Sequence, residues 1–397
     1  MTQFNFAAQR PIEKYHRIDV GFLIAVFLMW GIGLFTMFVC SQDYAARFFK
    51  GDSYHFIKNQ LICSAVGFVL FFSFLFIDME VIKKLVFWIL IATIILCALT
   101  YVPAFSVSKN GARRWLKMPG KFTFQPSELV KFTVILYLAL YFEKQEEKEN
   151  EEDKSVLTCV FVFLSLIVMV LCQKDFSTSM FIALVGVLLF FVSGAKLRWL
   201  IPVLIIAIPL IFLIVTSKQY RLERVIGWIN PTEGGDSYNL QVNRAKNAIT
   251  AGGIWGRGIG VGVSKLNKIP EVQADYIFAG LSETMGFFGV VLYLLLLGFF
   301  AWRGFITALK CPSRFAGYAS FGCILCIVLQ SLVNVMVVCG LLPSTGIPLP
   351  FFSVGGSSII VTLGMCGFVL NASRCETKED ILVEPSREIT LDDLTVL

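Results

Sequence analysis

Long apolar blocks alternate with short polar clusters along this chain, and the blocks run close to the roughly 20 residues that a helix needs to cross the hydrocarbon core of a bilayer. Read at that length, the pattern predicts ten spans, at about 20–40, 57–77, 84–101, 128–142, 156–172, 176–193, 197–216, 276–302, 316–340 and 351–371. The prediction is an all-α integral membrane protein. It has a segment 1–19, one ten-helix membrane domain over 20–371 and a tail 372–397. The first block follows Arg10, Lys14 and Arg17, lacks a small-residue cleavage site and is too long for a signal-peptide core, so it reads as an uncleaved signal anchor. An even number of spans puts both termini on one side. With that side inside, Lys and Arg divide 16 to 16, and 16 inside to 8 outside once the long segment 217–275 is set apart. The termini are therefore predicted to be cytoplasmic, with two substantial outer loops at about 102–127 and 217–275.

Composition agrees: 56% of the 397 residues are hydrophobic, 16% are charged and the mean hydropathy is +0.74, which excludes a water-soluble protein. Most of the 11 cysteines fall in or beside apolar blocks and read as small buried side chains, including the lone CxxC of Cys323 and Cys326. With two histidines, His16 and His55, both outside the blocks, a histidine-based active site or ordinary zinc site is not expected. Gly120-Lys121 is followed by Phe122, so there is no P-loop, and the run from Gly252 to Gly262 never meets GxGxxG. No nucleotide cofactor and no nucleic-acid partner are expected. The glycines instead let the backbone turn tightly or approach a ligand. The net charge of +6 hides a polarity. The two outer loops sum to +8, while the acidic run 143–155 and the tail sum to −8, which suits an anionic substrate outside the membrane.

Ionisable side chains inside spans are costly and mark candidate sites. Gln125-Pro126-Ser127-Glu128-Leu129-Val130-Lys131 opens the fourth span with Glu128 and Lys131 on one helix face, either a self-neutralising pair or part of a polar cavity. Just before it, Arg113 and Arg114 stand beside Trp115, planar forks suited to phosphate or to lipid headgroups. Asp175, in the short turn Gln173-Lys174-Asp175-Phe176-Ser177-Thr178, either caps the sixth span or takes part in chemistry. Asp275 opens the eighth span with Glu283 two turns deeper. There it caps the helix, accepts a proton from a sugar hydroxyl or holds a divalent cation against a pyrophosphate. The Pro/Gly hairpin 341–350 leads into Ser353-Val354-Gly355-Gly356-Ser357-Ser358, a polar helix start of the kind tolerated at membrane depth only beside a cavity or within protein. Together these residues suit an anionic lipid-linked substrate.

Taken in order, GARRW, FQPSELVK, QKDFST, GGIWGRGIGVG, IPEVQADYIFAGLSETMGF and GLLPSTGIPLPFFSVGGSS resemble the SEDS family (shape, elongation, division and sporulation) over about 20–371. The resemblance implies a ten-span peptidoglycan glycosyltransferase that polymerises lipid II, an undecaprenyl-pyrophosphate-linked disaccharide peptide, into β-1,4 glycan strands at the outer face of the bacterial inner membrane. It also implies a class B penicillin-binding protein transpeptidase as partner, within a division or elongation complex. Asp275 matches the essential acid of the long outer loop, with Mg2+ or Mn2+ as its cation if it binds one. Glu128, Lys131 and Asp175 match the central cavity, and Arg113, Arg114 and Trp115 the basic–aromatic element. The wording around Tyr238 and Pro270-Glu271 is closer to the division branch, FtsW, than to the elongation branch, RodA, which points to the septum. Three departures stand out: Ala274 before the acid where the family has Thr, Lys174 and Ser177 for Pro and Gly, and Val354 for Tyr. A lipid II flippase and a scaffold for the transpeptidase remain alternatives.

Overall fold

The computed structural model describes residues 14–15, 18–109, 112–118, 122–147, 152–194, 216, 219–229, 237–258 and 272–376. In chain order the elements are β1 (Lys14–Tyr15), α1 (Val20–Phe48), α2 (His55–Phe76), α3 (Met79–Leu99), β2 (Ser106–Lys109), β3 (Ala112–Lys117), β4 (Thr123–Phe124) and α4 (Pro126–Glu147). There follow α5 (Glu152–Cys172), α6 (Phe176–Val192), α7 (Gln219–Ile229), α8 (Ser237–Gly252), α9 (Ile277–Lys310), α10 (Arg314–Val338), α11 (Gly356–Ala372) and β5 (Cys375–Glu376). Nine of the ten predicted spans correspond to helices, α1 to α6 and α9 to α11. The seventh, at 197–216, lies outside the described residues except for Thr216, as do Gly260, Gly262, Pro270, Glu271 and most of the tail.

The helices end where the sequence punctuates them. Asp19 caps α1, its carboxylate accepting from Phe22 N at 2.8 Å. Pro126 stands at the first position of α4, where a missing N–H is harmless. Five helices, α1, α2, α3, α9 and α10, are each long and apolar enough to cross a membrane, and α5, α6 and α11 hold shorter apolar stretches. At the centre lies α4, whose Val130, Phe132, Val134, Ile135, Leu136 and Leu138 are all at most 3% exposed. It packs against α3, α5, α6, α10 and α11. A helix apolar on nearly every side belongs inside a bundle, and that position carries Glu128 and Lys131 into the interior.

Small residues set the closest packing. A Cβ at Gly367 of α11 would stand 2.2 Å from Phe71 O of α2, so the two backbones touch, as small-residue contacts allow between membrane helices. Asn371 reinforces the pair by donating to Phe74 O at 2.7 Å and to Ile77 O at 2.6 Å. β1 pairs antiparallel with β5, so the two ends of the bundle's chain meet, as an even number of crossings requires.

The structure refines the block reading in three places. The two segments predicted as outer loops hold regular structure: 102–127 contains the antiparallel sheet β2-β3-β4, and 217–275 contains α7 and α8. These two helices are too short and too polar to register as spans. α8 nonetheless buries Ala245 and Ala248 completely. The tenth block is helical only from Gly356, because its start is a turn, in which Ser353 N donates to Leu349 O at 3.0 Å and Phe351 takes φ 67°. α9, the eighth predicted span, is broken inside at Gly286 (φ 65°). There, Phe287 N donates to Gly253 O at 2.9 Å and Gly258 N to Thr284 O at 3.1 Å, so the segment after α8 satisfies the interrupted backbone. A Cβ on Gly256 would sit 2.2 Å from Thr284 O. Of the glycine run, Gly252 and Gly256 thus approach the chain's own α9.

Candidate active site

The starts of α4, α6, α9 and α11 gather with the end of α10 at one end of the bundle, opposite the Asp19 cap. Three groups of polar contacts meet there. The first centres on Asp175, which is 3% exposed. It stands before α6 but makes no side-chain cap. Its Oδ1 lies 3.4 Å from Arg114 Nη1, and its Oδ2 accepts from Gln125 Nε2 at 2.9 Å and Ser127 Oγ at 3.3 Å. Arg114 also donates to Lys174 O. The Gln125 backbone N donates in turn to Ser357 Oγ at 2.7 Å, which ties the start of α4 to the start of α11.

Arg114 reaches Asp175 because the sheet carries a bulge. Ser108 pairs with Arg113 and Val107 with Trp115, so Arg114 has no partner across the ladder. Arg113 stays exposed and Trp115 is half-buried. The two neighbouring arginines therefore have different surroundings, one committed to a buried carboxylate and one at the surface.

The second group is buried deeper in the same helix. Lys131 Nζ lies 2.8 Å from Glu128 Oε2, and both residues are 5% exposed. It also donates to Gln330 Oε1 at 2.7 Å and faces the Phe181 ring at 5.8 Å. Removing two charges from water costs several kcal/mol per ion, and only close pairing with further hydrogen bonds offsets it. Gln330 Nε2 continues the chain to Pro348 O at 2.9 Å.

The third group holds Asp275. One turn beyond Gln330 on α10, Asn334 Nδ2 donates to Asp275 O and to Ile347 O, each at 2.9 Å. Ser353 Oγ donates to Ala274 O and accepts from Leu349 N at 2.8 Å, and Val354 N donates to Gln273 O at 2.9 Å. The residues before Asp275 are thus held by backbone bonds to the segment before α11, in which the side chains of Ala274 and Val354 take no part. The carboxylate lies against Gly346: a Cβ there would stand 3.3 Å from Asp275 Oδ2, and the φ of +72° favours glycine. Ser357 and Ser358 are 7% and 8% exposed in the first turn of α11. Glu283 is fully buried where α8 crosses α9, its carbonyl accepting from Arg257 N at 2.9 Å.

Glu128, Lys131 and Asp275 are therefore joined through Gln330, Asn334 and the 347–348 backbone, and Asp175 with Arg114 joins the same end through Gln125 and Ser127. Gln330 and Asn334 were missed in the sequence. The signal was there, two amides four residues apart inside an apolar span, but attention to ionisable groups passes over neutral amides. Gln60, 3% exposed on α2, was missed for the same reason. It brackets the segment before α11, donating to Ser353 O and accepting from Gly355 N, both at 3.3 Å. Among the described residues no group of three or more His, Cys, Asp or Glu side chains could hold a metal ion. Mg2+ or Mn2+ at Asp275 would need substrate phosphates to complete its shell, as Mg2+ sites commonly do.

Comparison with known proteins follows the same outline. The family model for cell cycle proteins of the FtsW, RodA and SpoVE type matches residues 21–378. A probable peptidoglycan glycosyltransferase FtsW from Borreliella burgdorferi is 32% identical over 363 residues, 91% of this chain and 98% of that one. Stage V sporulation protein E of Bacillus subtilis is 31% identical over 356 residues, 90% and 97% of the two chains. Among solved structures, a chain from a peptidoglycan synthase complex that coordinates polymerization and crosslinking superposes with a TM-score of 0.72 at 27% identity, covering 90% of this chain and 98% of its own. The rod shape determining protein RodA of Thermus thermophilus superposes at 0.65 with 25% identity, covering 90% and 97%. Matched from its first helix past its last, and sharing the fold of both structures, this multi-pass membrane protein belongs to the FtsW/RodA/SpoVE cell cycle protein family.

Proposed function

We propose that the chain is a peptidoglycan glycosyltransferase of the FtsW type that polymerises lipid II for septal wall synthesis. It would work at the outer face of the bacterial inner membrane, with both termini cytoplasmic. The observation that carries this reading is the buried polar chain from Glu128 and Lys131 through Gln330 and Asn334 to Asp275, at the mouth of a bundle whose outer segments are basic. The glycosyltransferase activity assigned to its FtsW relatives supports it.

In this reading the 4-hydroxyl of an acceptor sugar attacks the anomeric carbon of the donor from the face opposite its pyrophosphate. The new C–O bond forms as the bond to pyrophosphate breaks, which inverts the centre and gives a β-1,4 link. The hydroxyl proton passes to Asp275, and undecaprenyl pyrophosphate leaves as the anion. A general base of this kind contributes about 10²–10⁴ in rate. The backbone bonds at Gln273, Ala274 and Asp275 hold the carboxylate in position, so that its orientation is prepaid rather than found in each turnover. Lys131 and Arg114 place cationic donors at the same end, each beside its own carboxylate, with Arg113 and Trp115 at the exposed rim meeting the substrate headgroup. Crosslinking of the strands is assigned to a class B penicillin-binding protein as partner.

The test is direct: the purified chain with its transpeptidase partner, supplied with lipid II, is expected to yield glycan polymer sensitive to lysozyme-type digestion. Translocation of lipid II across vesicles without any polymer would replace this reading with a flippase.

A further inference from the structure

An open cleft lies between α7, α8 and the turn that follows α10. Arg224 and Trp228 line it from α7, Asn243 and Lys246 from α8, and Pro343 and Ser344 from the turn. Among the described residues that line it, none is acidic.

The turn and the two helices are built around one another. Arg224 Nη1 donates to Ser344 O at 3.2 Å, and Trp228 Nε1 donates to Gly340 O at 3.2 Å. Lys246 passes so close to Gly340 that a Cβ there would meet its Cε at 2.2 Å and its Nζ at 2.4 Å, and Gly340 has φ +77°. Any other residue at 340 would push the ammonium away. Trp228, with its N–H already committed, is 44% exposed. Among the described residues no carboxylate forms an ion pair with Lys246. The cleft therefore offers a guanidinium, an ammonium, an amide and an aromatic face together. Cations of this kind bind phosphate oxygens, Arg with a planar fork and Lys as a point charge, and an exposed indole suits the apolar face of a sugar.

Position supplies the second half of the argument. Ser344 accepts from Arg224, and Gly346, two residues on, lies against the Asp275 carboxylate. The same turn thus borders the cationic cleft and the proposed general base.

We infer that this cleft holds the pyrophosphate of the lipid-linked donor, bound by Arg224 and Lys246 with its first sugar against Trp228. The inference rests on the glycosyltransferase reading and names the donor subsite within it. An anion held there stands beside Asp275, where the bond from sugar to pyrophosphate breaks, and the two cations stabilise the charge that develops on the leaving group.

The experiment measures binding of labelled undecaprenyl pyrophosphate to the purified full-length chain, with undecaprenol and phosphatidylglycerol as competitors, and separately the KM for lipid II in the complex with the transpeptidase. Lys246→Gln and Arg224→Gln are each expected to weaken undecaprenyl pyrophosphate binding and raise KM at least tenfold. Lys246→Arg should recover most of both, and Lys58→Gln, at an exposed pair with Asp52 on α2, should change them less than threefold. Undecaprenol and phosphatidylglycerol should compete poorly. Unchanged binding in a folded Lys246→Gln protein would overturn the site, as would phosphatidylglycerol displacing the probe as well as unlabelled pyrophosphate does, which would mark a headgroup contact. Binding is read without turnover, so loss of the subsite and failure of the polymerase reading give different results.

Discussion

Asp19 and Asp175 each stand one residue before a long apolar helix, and each meets an arginine. Asp19 accepts from Phe22 N of its own helix, from Arg303 Nη2 at 2.7 Å and Nε at 3.2 Å, and from Thr307 at 3.3 Å, while its backbone N donates to Ser373 Oγ at 3.1 Å. It fastens the starts of α1 and the ends of α9 and α11 into one knot. Asp175 accepts nothing from the backbone of α6 with its side chain. Its oxygens go instead to Arg114, Gln125 and Ser127, which belong to the β2-β3-β4 sheet and to the start of the central helix. An aspartate that leaves its cap unused is held for another purpose. One end of the bundle uses its polar groups to close helices, and the other uses them to build a connected surface at the mouth.

That contrast can be broken by substitution, and the effects on stability fall in a definite order. Lys131→Ala removes one partner of a buried pair and strands Glu128, so it is expected to cost about 3–5 kcal/mol. Denaturation of the purified protein in detergent would read this, and adding Glu128→Gln should restore a large part of the loss. Asp19→Ala deletes a cap and a partly exposed ion pair, for a loss of about 1–2 kcal/mol, while polymer formed per folded molecule stays near the parent value. Asp175→Asn keeps the shape and one accepting oxygen, which can face Gln125 and Ser127, and gives up the 3.4 Å contact with the partly exposed Arg114, a loss of about 1 kcal/mol. Its unfolding should change little while polymerisation falls at least tenfold. If Asp175→Asn instead loses stability and keeps activity, the two aspartates do the same job and the contrast is gone.

Much of the architecture was legible because the bilayer imposes a length. Nine of the predicted spans have their helices, with ends moved by a few residues wherever a cap such as Asp19 or a breaker such as Gly355-Gly356 decides the boundary. The kink at Gly286 was not legible, because φ +65° at one glycine inside an apolar run depends on the segment at 253–258 that lies against it. α7 and α8 were hidden by their polarity, and the sheet in 102–127 by strands of only two to six residues. The site divides in the same way. Glu128 and Lys131 announce themselves as charges three apart in a span. The choice between cap and cavity for Asp175 needed the bulge that frees Arg114, 61 residues away. Gln330 and Asn334, which join the pair to Asp275, carry no charge to draw attention. The cationic cleft joins residues from α7 and α8 to a turn about 100 residues later, a juxtaposition only the fold supplies.

The most direct test of the account is Asp275→Asn, assayed for lipid II polymerisation by the purified chain with its transpeptidase partner alongside thermal unfolding and partner binding. The side chain lies beside Gly346, and the bonds that hold this region run to the backbone oxygens of Gln273, Ala274 and Asp275. The account therefore predicts unchanged unfolding and unchanged partner binding, with polymer reduced by about 10²-fold or more. Polymer at near the parent rate from the folded variant would contradict it.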